Sequence, residues 1–344
     1  MKKALSVLLV GLFVLVMAAC GSNNEKNSGA SSSPSASPSA SASASASASA
    51  GESPAASESA TPAEINVKHA SGETAVKTNP AKVVVFDFGT LDTLDKLGVE
   101  VTGVPQQNLP SYLKKYEDAK YVNVGGLMEP DFEKIAEIKP DLIVISGRQA
   151  SSYEEFKKIA PTINLALDTT KYMDSFKANL TTVGQIFGKE KEVTGELAAI
   201  EGEIRALHDK AAANGKTGLI VLTNEGKISA YGPGSRFGLI HDVFGVKPAD
   251  DKIEVSTHGQ SVSFEYVAEK NPDYLFVVDR GAVVASEGGE SQPAKAVIEN
   301  DLVKKTNAFK DGHIVYLDPN YWYLSGGGLV SLSEMVKEVS AAFN

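Results

Sequence analysis

The chain has 344 residues with 33 Lys and Arg against 43 Asp and Glu, a formal net charge of −10. That balance excludes a nucleic-acid surface, which needs a basic stripe to displace counterions. The single cysteine excludes a disulfide scaffold or a cysteine-rich zinc site, and the longest apolar run, Ala4 to Ala19, is shorter than the roughly 18 to 20 residues a bilayer span needs.

In chain order, Met1-Lys2-Lys3 is a positive n-region and Ala4 to Met17 an apolar h-region. Together they predict a signal segment over 1–19. Met17-Ala18-Ala19-Cys20 has the form of a lipobox, with Met where Leu is usual. It predicts a lipid on Cys20 and a protein tethered to the extracytoplasmic face of a cell membrane that it does not span. Residues 20–64 are nearly all Ser, Ala, Pro, Gly, Asn and Glu, with unbroken Ser-Ala alternation from Ser39 to Ala50. Methyl groups and hydroxyls cannot bury enough apolar area to offset ordering, so this stretch is expected to be a disordered tether.

The remainder reads as α/β in two lobes, 65–188 and 215–344, joined by a helix over 189–214. Lys82–Asp87, Asp141–Ser146, Gly218–Thr223 and Tyr274–Asp279 are short β-rich apolar runs of buried strands, alternating with amphipathic helical patterns. That order implies mostly parallel sheets. The connecting helix carries Val193, Leu197, Ile200, Ile204 and Leu207 on one side and stops at Asn214-Gly215.

An internal repeat links the lobes. Ile135-Ala136, Pro140-Asp141, a strand and Arg148 recur 132 residues later as Val267-Ala268, Pro272-Asp273, a strand and Arg280. Residues just past the C-terminal ends of parallel strands line the ligand crevice of open α/β sheets, so Arg148 and Arg280 are expected to face one cleft. Glu129 and Glu265 lie near the starts of the two repeat helices. Arg236, in Gly232-Pro-Gly-Ser-Arg-Phe-Gly238, is expected at a helix start that attracts anions. Tyr321-Trp322-Tyr323, followed by Gly326-Gly-Gly328, offers aromatic walls for a flat ligand. The five histidines, His69, His208, His241, His258 and His313, lack metal-ligand spacing. No Gly-x-Ser-x-Gly or His-Glu-x-x-His motif suggests a hydrolase.

The lipobox, the Pro-Asp repeat, the Gly-Pro-Gly-Ser-Arg-Phe-Gly-Leu and Thr257-His258-Gly-Gln-Ser segments and the aromatic-glycine loop resemble the iron–siderophore substrate-binding lipoproteins of ABC importers. The resemblance spans about Asn66 to Phe343. It implies a class III periplasmic-binding-protein fold, two Rossmann-like lobes joined by one long helix, in a monomer that is no enzyme and carries no cofactor. Its ligand would be a ferric catecholate siderophore of the petrobactin type. Haem or cobalamin would be the alternative on the same fold. Arg148, Arg236 and Arg280 match the family's ligand-holding arginines. His258 and one tyrosine, Tyr321 or Tyr323, match conditional iron ligands beside Trp322. Glu129 and Glu265 match the acidic residues that dock on the permease, whose ATPase drives uptake.

Overall fold

The computed structural model describes residues 64–284 and 292–344, all within one unit, Glu58–Asn344. The expected signal segment, Cys20 and all of the tether but its last residue lie outside the described residues. Glu64, the tether's expected end, instead opens a hairpin of β1 (Glu64–His69) and β2 (Gly72–Lys77).

The first lobe contains β3 (Val83–Val85), α1 (Phe88–Lys96), β4 (Gly103–Val104), β5 (Val122–Asn123), α2 (Phe132–Ile138), β6 (Leu142–Ile145), α3 (Tyr153–Lys157) and β7 (Thr162–Asn164). Its sheet is wholly parallel, in the order β5-β4-β3-β6-β7. Both faces are covered, which explains the unbroken apolar runs. Val83 and Val85 enter one buried cluster while Val84, between them, enters another.

Helices α4 (Tyr172–Phe187) and α5 (Glu190–Asn214) follow. At 25 residues, α5 is about 37 Å long. It buries Val193, Ile200, Ile204, Leu207 and Ala211 and ends at Gly215, whose φ of 68° is left-handed, a conformation that glycine adopts without a Cβ clash.

The second lobe contains β8 (Thr217–Asn224), β9 (Lys227–Tyr231), α6 (Leu239–Asp242), β10 (Lys247–Pro248), β11 (Gln260–Val262), α7 (Phe264–Lys270), β12 (Tyr274–Asp279), α8 (Ala294–Ile298), α9 (Asn307–Lys310) and β13 (Ile314–Leu317). The order is β11-β9-β8-β12-β13, with β10 beside the start of β8. With β10 set aside, both sheets run third-second-first-fourth-fifth, the doubly wound order. The second sheet is mixed rather than wholly parallel, because β9 returns antiparallel to β8 through a tight hairpin and β11 pairs antiparallel with β9.

The Pro-Asp half of the repeat has a structural cause. The Asp141 carboxylate accepts from the N–H groups of Ala81 and Lys82 at 3.1 and 2.9 Å. The Asp273 carboxylate accepts from the N–H of Thr217 at 2.9 Å and from its hydroxyl at 3.1 Å. Each aspartate thus pins the start of its lobe's central strand.

The last helix, α10 (Leu329–Ala341), packs on both α5 and α1, so the chain beyond β13 returns to the first lobe, across the boundary expected from sequence. One buried cluster runs through Leu94 of α1, Ile200 of α5, Phe276 of β12 and Leu332 of α10. A continuous apolar core of this kind resists wide lobe opening.

Candidate functional site

The crevice lies where strand order reverses in each sheet, between β3 and β6 and between β8 and β12. It is a cleft of about 1880 Å³ lined from the first lobe by Asp87, Ser146 and Arg148 and from the second by Asn224, Arg236 and Arg280. Arg148 is the second residue of the turn that follows β6, and Arg280 directly follows β12. Arg236 sits three residues before α6, which is only one turn long. The expected helix-start anion site is therefore absent; Arg236 lies instead on a loop whose next residue, Phe237, is buried against the Tyr231 ring at 4.6 Å.

All three guanidinium groups converge on Tyr323. The Tyr323 main-chain carbonyl accepts from Arg148 Nη2 and from Arg236 Nη2, each at 2.6 Å. The Tyr323 hydroxyl accepts from Arg280 Nε at 2.9 Å. Arg236 also lies 4.2 Å from the centre of the Tyr323 ring, a cation–π contact. Arg280 Nη1 donates to Asn224 Oδ1 at 2.7 Å. Burial foremost, and then the Arg236 charge, draw the Arg148 guanidinium below its ordinary value against Asp87 and Tyr323; it remains a cation. Burial would raise the Tyr323 phenol, but the Arg280 hydrogen bond and the charges of Arg236, Arg280 and Arg148 outweigh it and bring it below the usual tyrosine range. None of the three arginines forms an ion pair with a carboxylate among the described residues.

The loop carrying Tyr323 is a π-helical turn, Asn320–Ser325, a geometry concentrated at functional positions. Its other aromatics do not form the expected wall. Trp322 borders the cleft but is only 2% exposed. Its indole N–H donates to Glu338 Oε2 at 2.7 Å, because a buried indole needs an acceptor. The Tyr321 ring packs on Tyr112 at 4.8 Å, outside the cleft lining. His258 is exposed on the cleft lip, and its ring has no hydrogen-bond partner among the described residues.

The acidic residues fall differently from expectation. Glu265 is the second residue of α7 and exposed; hydrogen bonds from its own N–H and from Ser263 lower its carboxyl. Glu129 is not on a helix. It sits in a turn whose carbonyl accepts from Gly126 N–H at 3.0 Å, on the cleft lining. The 132-residue offset aligns Glu265 with Glu133, the exposed second residue of α2. The repeat's own spacing thus leads to Glu133 rather than Glu129 as the equivalent of Glu265. Asn224 was also missed; its signal was its place at the end of a central strand.

The chain matches the periplasmic binding protein family model over residues 83–321. It is 58% identical over 280 residues to the petrobactin-binding protein YclQ of Bacillus subtilis, covering 80% of this chain and 87% of that one. It is 32% identical over 280 residues to the ferric-anguibactin-binding protein FatB of Vibrio anguillarum, covering 80% and 86%. The YclQ crystal structure superposes with a TM-score of 0.79 over 82% of this chain and 99% of that one. The periplasmic catecholate-siderophore binding protein VctP of Vibrio cholerae gives 0.77 at 36% identity, over 81% and 99%. On this match, and on two doubly wound lobes around one cleft, the chain belongs to the periplasmic binding protein family.

Proposed function

We propose that this protein captures ferric catecholate siderophores of the petrobactin type outside the cytoplasm and delivers them to an ABC permease with its ATPase. The observation that carries this is the convergence of Arg148, Arg236 and Arg280 on one point with no carboxylate partner among the described residues. A ferric catecholate is a compact anion, and each guanidinium fork matches its paired oxygens. YclQ binds petrobactin, FatB ferric anguibactin and VctP a catecholate siderophore, which supports the same class. Binding without catalysis, as a monomer lipidated at Cys20, completes the reading. Calorimetric titration with ferric petrobactin, a ferric bis-catecholate, haem and cobalamin tests it. The two ferric catecholates should bind tightly, and preference for haem or cobalamin would overturn it.

His258 acts as a conditional ligand to the cargo iron, and Tyr323, the tyrosine among the arginines, is favoured over Tyr321 as its companion. A siderophore with six donors leaves iron no open site, whereas one with four leaves two. His258→Ala should therefore weaken a tetradentate ferric bis-catecholate about tenfold, the scale of one charge-assisted contact, and leave a hexadentate complex unchanged. Paired titrations, following the charge-transfer band, check this; equal losses for both would remove His258 from the iron.

Glu133 and Glu265 are the permease-docking pair, in place of Glu129 with Glu265. Both are exposed in the first turns of repeat-equivalent helices, one per lobe. Glu133→Ala combined with Glu265→Ala should preserve siderophore affinity and lower cellular uptake several-fold. Uptake equal to wild type would exclude the pair.

A further inference from the structure

Three like-charged side chains from two lobes do not gather without something to hold them. Arg148 comes from the first lobe and Arg236 and Arg280 from the second, and Arg236 is close enough to Arg148 to disfavour its charge. What holds them is a single residue. The Tyr323 carbonyl takes one donor from each lobe, and the Tyr323 phenol takes Arg280. Among the described residues, the other acceptors on these groups are the Leu324 carbonyl, 3.3 Å from Arg148 Nη1, and Asn224. The loop is itself fixed from behind, since Glu338 accepts from the Trp322 indole and from the Asp318 N–H.

The two Tyr323 acceptors differ in kind. The carbonyl belongs to a turn anchored through a buried indole and cannot leave. The phenol is the end of a half-buried side chain that lines the cleft and can rotate away. We propose that Tyr323 is a positioning residue that sets ligand preference: its carbonyl assembles the arginines in advance, and its phenol stands in at Arg280 for an oxygen of the incoming ligand. This rests on the ferric catecholate reading above. A ligand bearing a full set of donors must displace the phenol from Arg280 and regains nothing from it. A ligand that leaves iron sites open can offer the displaced phenol a new partner. The same side chain thus opposes one class and not the other.

Tyr323→Phe keeps the carbonyl and the ring and removes only the stand-in. It should tighten binding of a hexadentate ferric tris-catecholate about 3- to 10-fold, the scale of one net hydrogen bond. A residue with a merely structural role would give weaker binding. The gain should vanish when Tyr323→Phe is made in an Arg280→Ala background, since the phenol acts through that guanidinium. The melting temperature should match wild type. Unchanged or weaker binding by Tyr323→Phe, or an equal gain without Arg280, would overturn the proposal while the ferric catecholate reading stands. Failure of the wild type to bind any ferric catecholate would remove both.

Discussion

Arg148→Ala, Arg236→Ala and Arg280→Ala should each weaken ferric catecholate binding by about 10- to 100-fold, the equivalent of roughly 1.5 to 3 kcal/mol for a charge-assisted hydrogen bond. Fluorescence quenching of each variant by a ferric bis-catecholate measures it. The three losses should not multiply. Arg148 and Arg236 share the Tyr323 carbonyl, and removing one relieves the repulsion on the other, so their double variant should lose less than the product. Arg280 touches Asn224 and the phenol instead, and its loss should combine almost independently with that of Arg148. Lysine should rescue none of them well, because a point charge lacks the planar fork. Raising salt should weaken the wild type only modestly, since half-buried contacts are less screened than exposed ones. Affinity unchanged in all three alanine variants would show that the ligand lies elsewhere in the cleft.

How much of this was legible depended on whether the signal was local. Val83–Val85 and Tyr274–Asp279 read as buried strands because parallel strands covered on both faces need apolar residues at every position. The α5 helix declared itself by its apolar stripe and its Asn214-Gly215 stop. Arg148 and Arg280 were visible because two copies of one unit carry them at the same place. Glu129 was paired with Glu265 by its nearness to the start of a repeat helix, whereas the repeat's own offset leads to Glu133. The role of Tyr323 was not legible, since its carbonyl and phenol meet arginines 43 to 175 residues away in sequence. Trp322 looked like a ligand wall because a sequence does not reveal an indole's acceptor. Asp92 was the deepest omission. Leu91, Leu94 and Leu97 suggest an amphipathic α1 with Asp92 facing water, but α10 arrives from more than two hundred residues away and covers that face as well.

Asp92 should make the protein's stability fall as pH rises. Its side chain is fully buried and accepts from the Ser331 N–H at 3.0 Å, the Tyr112 hydroxyl at 2.9 Å and the Val330 N–H at 3.2 Å. The N–H donors are first-turn groups of α10, where a helix terminus leaves them unpaired and favours an anion. Gly328 permits the approach, for a Cβ there would overlap the carboxylate. The groups around it, Tyr112, Tyr172 and Tyr321, are all raised and neutral, so the helix terminus is the charge's main compensation. Burial wins over these hydrogen bonds and pushes the carboxyl up to about 7 from 3.8. With the folded value above the unfolded one, the folded state holds the extra proton at pH 5. The unfolded state binds fewer protons there, so stability declines with pH between about 4 and 7 and the loss is complete above that window. The shift corresponds to something on the order of 4 kcal/mol. Asp92→Asn cannot ionise and leaves one donor less well paired at every pH, a constant offset. The stability of wild type relative to Asp92→Asn, from denaturant melts between pH 4 and 8, should therefore fall by several kcal/mol across that range. A difference independent of pH would show that Asp92 does not titrate in the folded protein. Asp92→Ala should be worse than either, since it strands the Ser331 and Val330 N–H groups at roughly 1 to 3 kcal/mol for each buried group left unpaired, while the Tyr112 hydroxyl keeps the Ser325 Oγ at 2.7 Å. It should also weaken siderophore binding with every arginine intact, because the Tyr112 hydroxyl lies between Asp92 and Ser325 at the end of the Tyr323 turn.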